Sequence, residues 1–261
     1  MFVRKDGGVR SRPSHILFDL DGTLADSSQG ILSSFRATLE QIHLEATDEL
    51  LRRLIGPPLG ESFRHLGVAD EDVDHVVDVY REFYAERGVH EARLYDDVAT
   101  TLEALSSEGV HLGVATAKRI DFARQMLGSL GVKHFFDDIA GASVDLRITS
   151  KFDIMSQVLS GWGVGESPDV WMVGDRHFDM VAAGAHGVSA VGALWGFGSA
   201  DELRGAGAHW LIARPPELLG DETEGGSPAC LLDEVCEVCG KIDDSSHFRH
   251  SSDTSGEVAA S

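Results

Sequence analysis

Five short, nearly unbroken apolar runs constrain this chain more than any other feature. They are His15-Ile16-Leu17-Phe18, Val110-His111-Leu112-Gly113-Val114-Ala115, Val170-Trp171-Met172-Val173, Ser189-Ala190-Val191-Gly192-Ala193-Leu194 and His209-Trp210-Leu211-Ile212. A strand with one wet face alternates apolar and polar residues, whereas a run apolar on both faces belongs to a sheet covered on both sides, the habit of parallel strands. Helical spacing separates the runs, with Ile120, Ala123, Met126, Leu127 and Leu130 on one stripe and Phe152, Met155, Val158 and Leu159 on another. Gly109-Val110, Gly131-Val132 and Gly187-Val188 each read as a helix stop followed by a strand or its approach. The rhythm predicts an α/β protein with a doubly wound, Rossmann-like parallel sheet core.

Residues 27–92 break that rhythm. Ile31, Phe35, Leu39 and Ile42 share one helical face, and Val73, Val76, Val77, Tyr80 and Tyr84 share another. With no strand signal between them, the segment reads as a small all-helical cap inserted after the first strand, and Gly56-Pro57-Pro58-Leu59-Gly60 as a rigid break between its helices. The core would then comprise residues 14–26 and 93–219. Residues 1–13 read as a flexible basic arm. Residues 220–261, with ten acidic and two basic residues and no apolar period, read as a mostly disordered acidic tail.

Composition narrows the partners. The 261 residues carry a formal net charge of -21, which argues against a nucleic-acid backbone or an anionic membrane as partner. No apolar stretch approaches the roughly 18 residues of a membrane span. The positive charge near Met1 has no apolar segment behind it, so a signal peptide is not expected and a cytoplasmic location is. All three cysteines, Cys230, Cys236 and Cys239, lie in the tail, which leaves no thiol in the body for a disulfide or a nucleophile. Cys236, Cys239, His247 and His250 are zinc-ligand types, but their spacing matches no familiar finger and weighs against a zinc site.

Ligands of open α/β sheets sit beyond the carboxyl ends of the strands. The first run ends in Asp19-Leu20-Asp21-Gly22-Thr23, the second in Thr116 and the third in Gly174-Asp175, with Asp179 one helical turn on. Carboxylates gathered so densely repel one another unless a cation joins them, and hard oxygen ligands favour Mg²⁺. A spacing of two puts Asp19 and Asp21 on the same side of extended chain. Gly22 allows a sharp turn and close backbone approach to a ligand. Lys151 opens a helix after Thr149-Ser150, where the helix dipole disfavours a cation, so its position asks for a function.

These residues resemble the four motifs of haloacid dehalogenase-superfamily phosphatases. Asp19-Leu20-Asp21-Gly22-Thr23 is similar to the first motif, and Thr116 in Val114-Ala115-Thr116-Ala117-Lys118 to the second. Lys151 matches the third, and Gly174-Asp175-Arg176-His177-Phe178-Asp179 the fourth. The likeness runs from about Ser14 to Leu219. Ile55-Gly56-Pro57-Pro58-Leu59 and Leu194-Trp195-Gly196-Phe197-Gly198-Ser199 resemble the phosphoglycolate phosphatase-like branch, which includes 5′-nucleotidase-like members. The resemblance implies Asp19 as nucleophile and Asp21 as general acid and base. It implies Asp19, the Asp21 backbone carbonyl and Asp175 as Mg²⁺ ligands. Gly22, Thr116, Ala117 and Lys151 would surround the phosphate, and Asp179 would position Lys151 or metal-bound water.

The expected activity is hydrolysis of a small phosphorylated metabolite, of phosphoglycolate or nucleoside 5′-monophosphate type. A phosphosugar mutase of the same fold is the nearest rival, but Thr23 resembles the phosphatase pattern rather than the Val or Ile usual in mutases. Asp21 supplies the acid and base that a dehalogenase does not need, and a non-catalytic binding protein would have little reason to keep every motif residue. Asp26-Ser27-Ser28 reads as a helix cap, Arg176 and His177 as structural, and Trp195-Gly196-Phe197-Gly198 as a packed loop. Arg64, His65 and Lys118 are candidates for the substrate's far end, without a sequence signal to assign them. Oligomeric state is left open.

Overall fold

The computed structural model describes residues 12–145 and 147–220, so the expected flexible arm up to residue 11 and the expected disordered, cysteine-containing tail from residue 221 lie outside the described residues. Six strands form one parallel sheet: β1 (His15–Phe18), β4 (His111–Arg119), β5 (Asp138–Ala142), β6 (Val170–Gly174), β7 (Ser189–Ala193) and β8 (Trp210–Ile212). Their order is β5-β4-β1-β6-β7-β8. A two-stranded antiparallel ribbon, β2 (Ala25–Asp26) with β3 (Arg93–Leu94), frames a helical insertion. The chain leaves β1 toward β4 and β5, then returns to the other side of β1 as β6. That reversal puts a crevice at the carboxyl end of β1.

Side chains on alternate positions face opposite layers, which is why the strands are apolar throughout. Leu17, Ala115, Met172, Ala190 and Leu211 pack with Ile154, Met155 and Val158 of α7 (Lys151–Trp162) and with Met180 and Ala183 of α8 (His177–Ala185). Ile16, Phe18, Val114, Trp171 and Val173 pack on the other face. There they meet Val98, Leu102 and Leu105 of α5 (Val98–Ser107) and Phe122, Met126 and Leu127 of α6 (Ile120–Ser129). Each fully buried Leu, Met or Phe of these layers contributes about 1.5–3 kcal/mol by leaving water. The Gly-Val joints take left-handed glycines, with φ of 79° at Gly109, 76° at Gly131 and 64° at Gly187.

The sheet departs from expectation at one edge. β5 gives no long apolar run because it is Asp138-Ile139-Ala140-Gly141-Ala142, mostly small residues on an outermost strand whose first two positions are half-buried. β4 also runs past Ala115 to Arg119, with a register shift between Thr116 and Arg119.

The helical insertion contains α1 (Ser28–Gln41), α2 (Asp48–Arg53), α3 (Leu59–His65) and α4 (Val73–Glu86). An aromatic cluster holds it together: Phe35 lies 5.3 Å from Phe63 and 5.0 Å from Tyr80, ring centre to ring centre. Tyr84 extends the cluster to Phe122 of α6 at 5.3 Å, which joins the insertion to the sheet layers. Gly56-Pro57-Pro58 separates α2 from α3. No helix among the described residues is long and apolar enough to cross a membrane.

Candidate active site

Backbone pairing carries β1 one residue further, to Asp19, whose N–H donates to the Val173 carbonyl at 2.9 Å. The Leu20 N–H then donates to Asp19 Oδ1 at 2.8 Å, which holds the carboxylate over its own turn. Gly22 takes φ +85°, and a Cβ there would collide with the Asp175 carboxylate. Both facts require glycine. Thr23 Oγ1 donates to Asp175 Oδ1 at 3.1 Å, and the Phe197 N–H donates to Oδ2 at 2.8 Å. The Trp195 indole donates to the Thr23 carbonyl at 2.9 Å, so the aromatic loop after β7 locks the turn after β1.

Lys151 stands in the first turn of α7, where Ser150 caps the helix by accepting from the Asp153 N–H. Its ammonium lies 2.9 Å from Asp19 Oδ1, 2.8 Å from Asp179 Oδ1 and 2.9 Å from the Ala115 carbonyl. Burial alone would lower its pKa; Asp179 and Asp19 outweigh that and hold it above the ordinary lysine value. The unfavourable helix dipole is thus offset by two carboxylates. The second oxygen of Asp179 accepts from the Arg176 N–H at 3.1 Å at the start of α8.

Asp19, Asp175 and Asp179 each offer an oxygen within 4.8 Å of the others. Asp175 is fully buried and has no ion pair among the described residues. Burial, then Asp179 and Asp19, push its carboxyl up to about 8. A buried carboxylate lacking a counter-charge, in a cluster of oxygen donors, fits a hard divalent cation. Mg²⁺ is the cation generally used by the phosphatases this sequence resembles.

Asp21 is held apart from that trio. Its Oδ1 accepts from Ser27 Oγ at 2.5 Å, and its Oδ2 lies 3.1 Å from Lys118 Nζ. Ser27 therefore spends its hydroxyl on Asp21 rather than on the helix end, and Asp26 caps instead by accepting from the Ser28 N–H at 3.0 Å. Thr116 is buried where the regular register of β4 with β5 ends, its Oγ1 accepting from the Lys118 N–H at 3.2 Å. Ala117, between them, is exposed in the irregular stretch of β4. Asp19, Asp175, Asp179, Thr116, Lys151 and the Asp21-Gly22-Thr23 turn thus gather where β1, β4 and β6 end.

Arg176 and His177 share one acceptor, Glu202, at 2.9 Å from each side chain. Arg176 Nη1 also donates to the Ile55 carbonyl at 2.9 Å, beside Gly56 with φ +113°, where a Cβ would meet the guanidinium. Glu202 has no signal in the sequence, whereas Ser27, expected as part of a helix cap, and Tyr84, expected on a helical stripe, instead turn their hydroxyls to Asp21 and Lys118.

Residues 16–193 match the family model described as haloacid dehalogenase-like hydrolase. Tyrosine-protein kinase PtkA of Mycobacterium tuberculosis is 39% identical over 200 residues, which cover 76% of this chain and 68% of that protein. A 5′-nucleotidase of Pseudomonas aeruginosa is 36% identical over 195 residues, 74% of this chain and 88% of that protein. A crystal structure of a predicted phosphatase from Clostridium acetobutylicum superposes with a TM-score of 0.75 at 33% identity, covering 80% of this chain and 97% of that one. With the family model spanning more than half of its length and phosphatases among its relatives, the chain belongs to the haloacid dehalogenase-like hydrolases and is a phosphatase of that family.

Proposed function

We propose that the protein is a Mg²⁺-dependent phosphomonoesterase that hydrolyses a small phosphorylated metabolite through an aspartyl-phosphate on Asp19. The observation that carries this reading is the position of Asp19 at the end of β1, ion-paired to Lys151 at 2.9 Å, with Asp21 two residues on. A carboxylate nucleophile needs its target's negative charge offset before it can attack. Lys151 supplies one positive charge. Asp19, the Asp21 carbonyl and Asp175 would hold Mg²⁺, which when bound neutralises phosphoryl charge.

In the first step Asp19 attacks phosphorus and Asp21 gives its proton to the departing ester oxygen. In the second, Asp21 takes a proton from the water that opens the acyl-phosphate and regenerates Asp19. The Thr116 hydroxyl and the Ala117 N–H are assigned to phosphate oxygens, together with Gly22 and Lys151. Asp179 keeps Lys151 in place. Residues 27–92 serve as a cap over the leaving group, a role supported by the Tyr84 and Ile55 contacts to the core.

Phosphate release from a panel of phosphorylated metabolites, with and without Mg²⁺, tests the reading. Release by the parent and not by Asp19→Asn supports it. Transfer of a nucleoside triphosphate's γ-phosphate to tyrosine, with no release to water, would replace it by the activity in the name of the mycobacterial relative.

A further inference from the structure

Two buried ammonium groups reach this site, and they are engaged differently. An ammonium has three N–H donors. Lys151 spends them on Asp19, Asp179 and the Ala115 carbonyl. Lys118, whose side chain is only 8% exposed, has two partners among the described residues: Asp21 Oδ2 at 3.1 Å and the Tyr84 hydroxyl oxygen at 2.6 Å. Its third donor has no acceptor there. Because Lys118 donates to Tyr84, the Tyr84 O–H proton is directed elsewhere, and it too has no acceptor among the described residues. Tyr84 is 2% exposed. Two unspent donors, one of them charged, therefore meet beside Asp21 in a place largely closed to water. Buried donors without acceptors are costly, and such a pair suits an incoming anion.

We propose that Lys118 and Tyr84 receive an anionic group on the leaving-group side of the substrate. The inference rests on the phosphatase reading above and narrows its substrate class. If Asp21 protonates the ester oxygen, that oxygen lies one hydrogen bond from the carboxylate, roughly 3 Å. Lys118 is one hydrogen bond further on. The recognised anion must then lie within a few bonds of the ester oxygen. A carboxylate on the adjacent carbon meets that condition, as does a phosphoryl group bonded to the same oxygen. A nucleoside does not, because it places a neutral sugar and a distant base there. Tyr84 belongs to α4, so the same contact ties recognition to the helical insertion.

The test uses the full chain with Mg²⁺ and matched probes. These are 2-phosphoglycolate, 2-phosphoglycolamide with a neutral amide in place of the carboxylate, pyrophosphate, a nucleoside 5′-monophosphate and p-nitrophenyl phosphate. The parent should favour 2-phosphoglycolate or pyrophosphate over the amide by about tenfold or more in kcat/KM, mostly through KM. Which of the two anions leads tells a carboxylate from a phosphoryl group. Lys118→Met should bring the anion-to-amide ratio to within a few-fold of one, Tyr84→Phe should lower it less, and Lys118→Arg should restore part of it. Glycolate should compete with substrate in the parent and not in Lys118→Met. The ratio is read rather than the absolute rate, because Lys118 also touches Asp21, and Tyr84→Phe covers the case in which Lys118→Met does not fold. A parent ratio near one, or a ratio that survives Lys118→Met, overturns the inference while p-nitrophenyl phosphate turnover leaves the phosphatase reading standing. No release from any probe removes both.

Discussion

Lys151 Nζ lies 2.9 Å from Asp19 Oδ1, joining the first turn of α7 to the end of β1. The pair is nearly dry, with side-chain exposures of 6% and 12%. Removing the cation leaves two buried carboxylates, Asp19 and Asp179, facing each other. Lys151→Met should therefore inactivate the enzyme and, in metal-free protein, destabilise it by roughly 3–5 kcal/mol, the range for breaking a buried ion pair. Urea unfolding measures the stability. A midpoint equal to the parent's would show that the pair is not structural.

Gly22 offers a sharper steric test. Ala at this position must adopt φ +85° and press its methyl against the Asp175 carboxylate. Gly22→Ala should lower kcat/KM by at least about a hundredfold, because a shift of one ångström at such a site has that effect. Retention of full activity would mean that the turn and Asp175 are free to separate.

The metal prediction follows from Asp175. Excess chelator should abolish phosphate release and readded Mg²⁺ should restore it. Ca²⁺ should support it poorly, since it takes more ligands in a looser geometry. Metal titration should raise the parent's melting temperature, and Asp175→Asn should weaken that rise. Activity undiminished in chelator would contradict the metal assignment.

Glu202 gives a pH signature. Burial would raise its carboxyl, but the Arg176 side chain and the His177 N–H outweigh that and depress it from 4.5 to about 2. A carboxyl depressed by folding stabilises above its unfolded pKa and loses that contribution as pH falls through the folded one. The parent should be more stable than Glu202→Gln at pH 6, and the difference should shrink between pH 4.5 and 2. Exposure of the group keeps the effect small. Parallel stability curves for the two proteins would show that the Arg176–Glu202–His177 contact carries no weight.

Legibility in the sequence followed burial. The five apolar runs were readable because central strands are covered on both faces; β5 was not, because an edge strand of Asp138, Ala140, Gly141 and Ala142 has no apolar signature. Asp19, Thr116, Asp175 and Lys151 were readable because each directly follows an apolar run or opens a helix. Lys118 is a candidate for the substrate's far end that no sequence signal could assign, and Tyr84 reads only as part of a helical stripe. Tyr84 continues the stripe of Val77 and Tyr80, so its ring looks like core, and only the fold brings its hydroxyl to a lysine 34 positions away. Ser27 has the residue type and position of a helix cap, and its diversion to Asp21 depends on the turn made by Asp21 through Ala25.

The central claim is that Asp19 itself carries the phosphoryl group. Asp21→Asn should slow opening of the acyl-phosphate, since general acid–base help is worth about 10²–10⁴-fold. Acid quenching that variant during turnover, reducing with borohydride and sequencing the peptide by mass spectrometry would locate the group. The account predicts homoserine at position 19, absent without substrate and absent when Asp19→Asn is added. An unmodified Asp19 during demonstrated turnover, or reduction at another carboxylate, would contradict it.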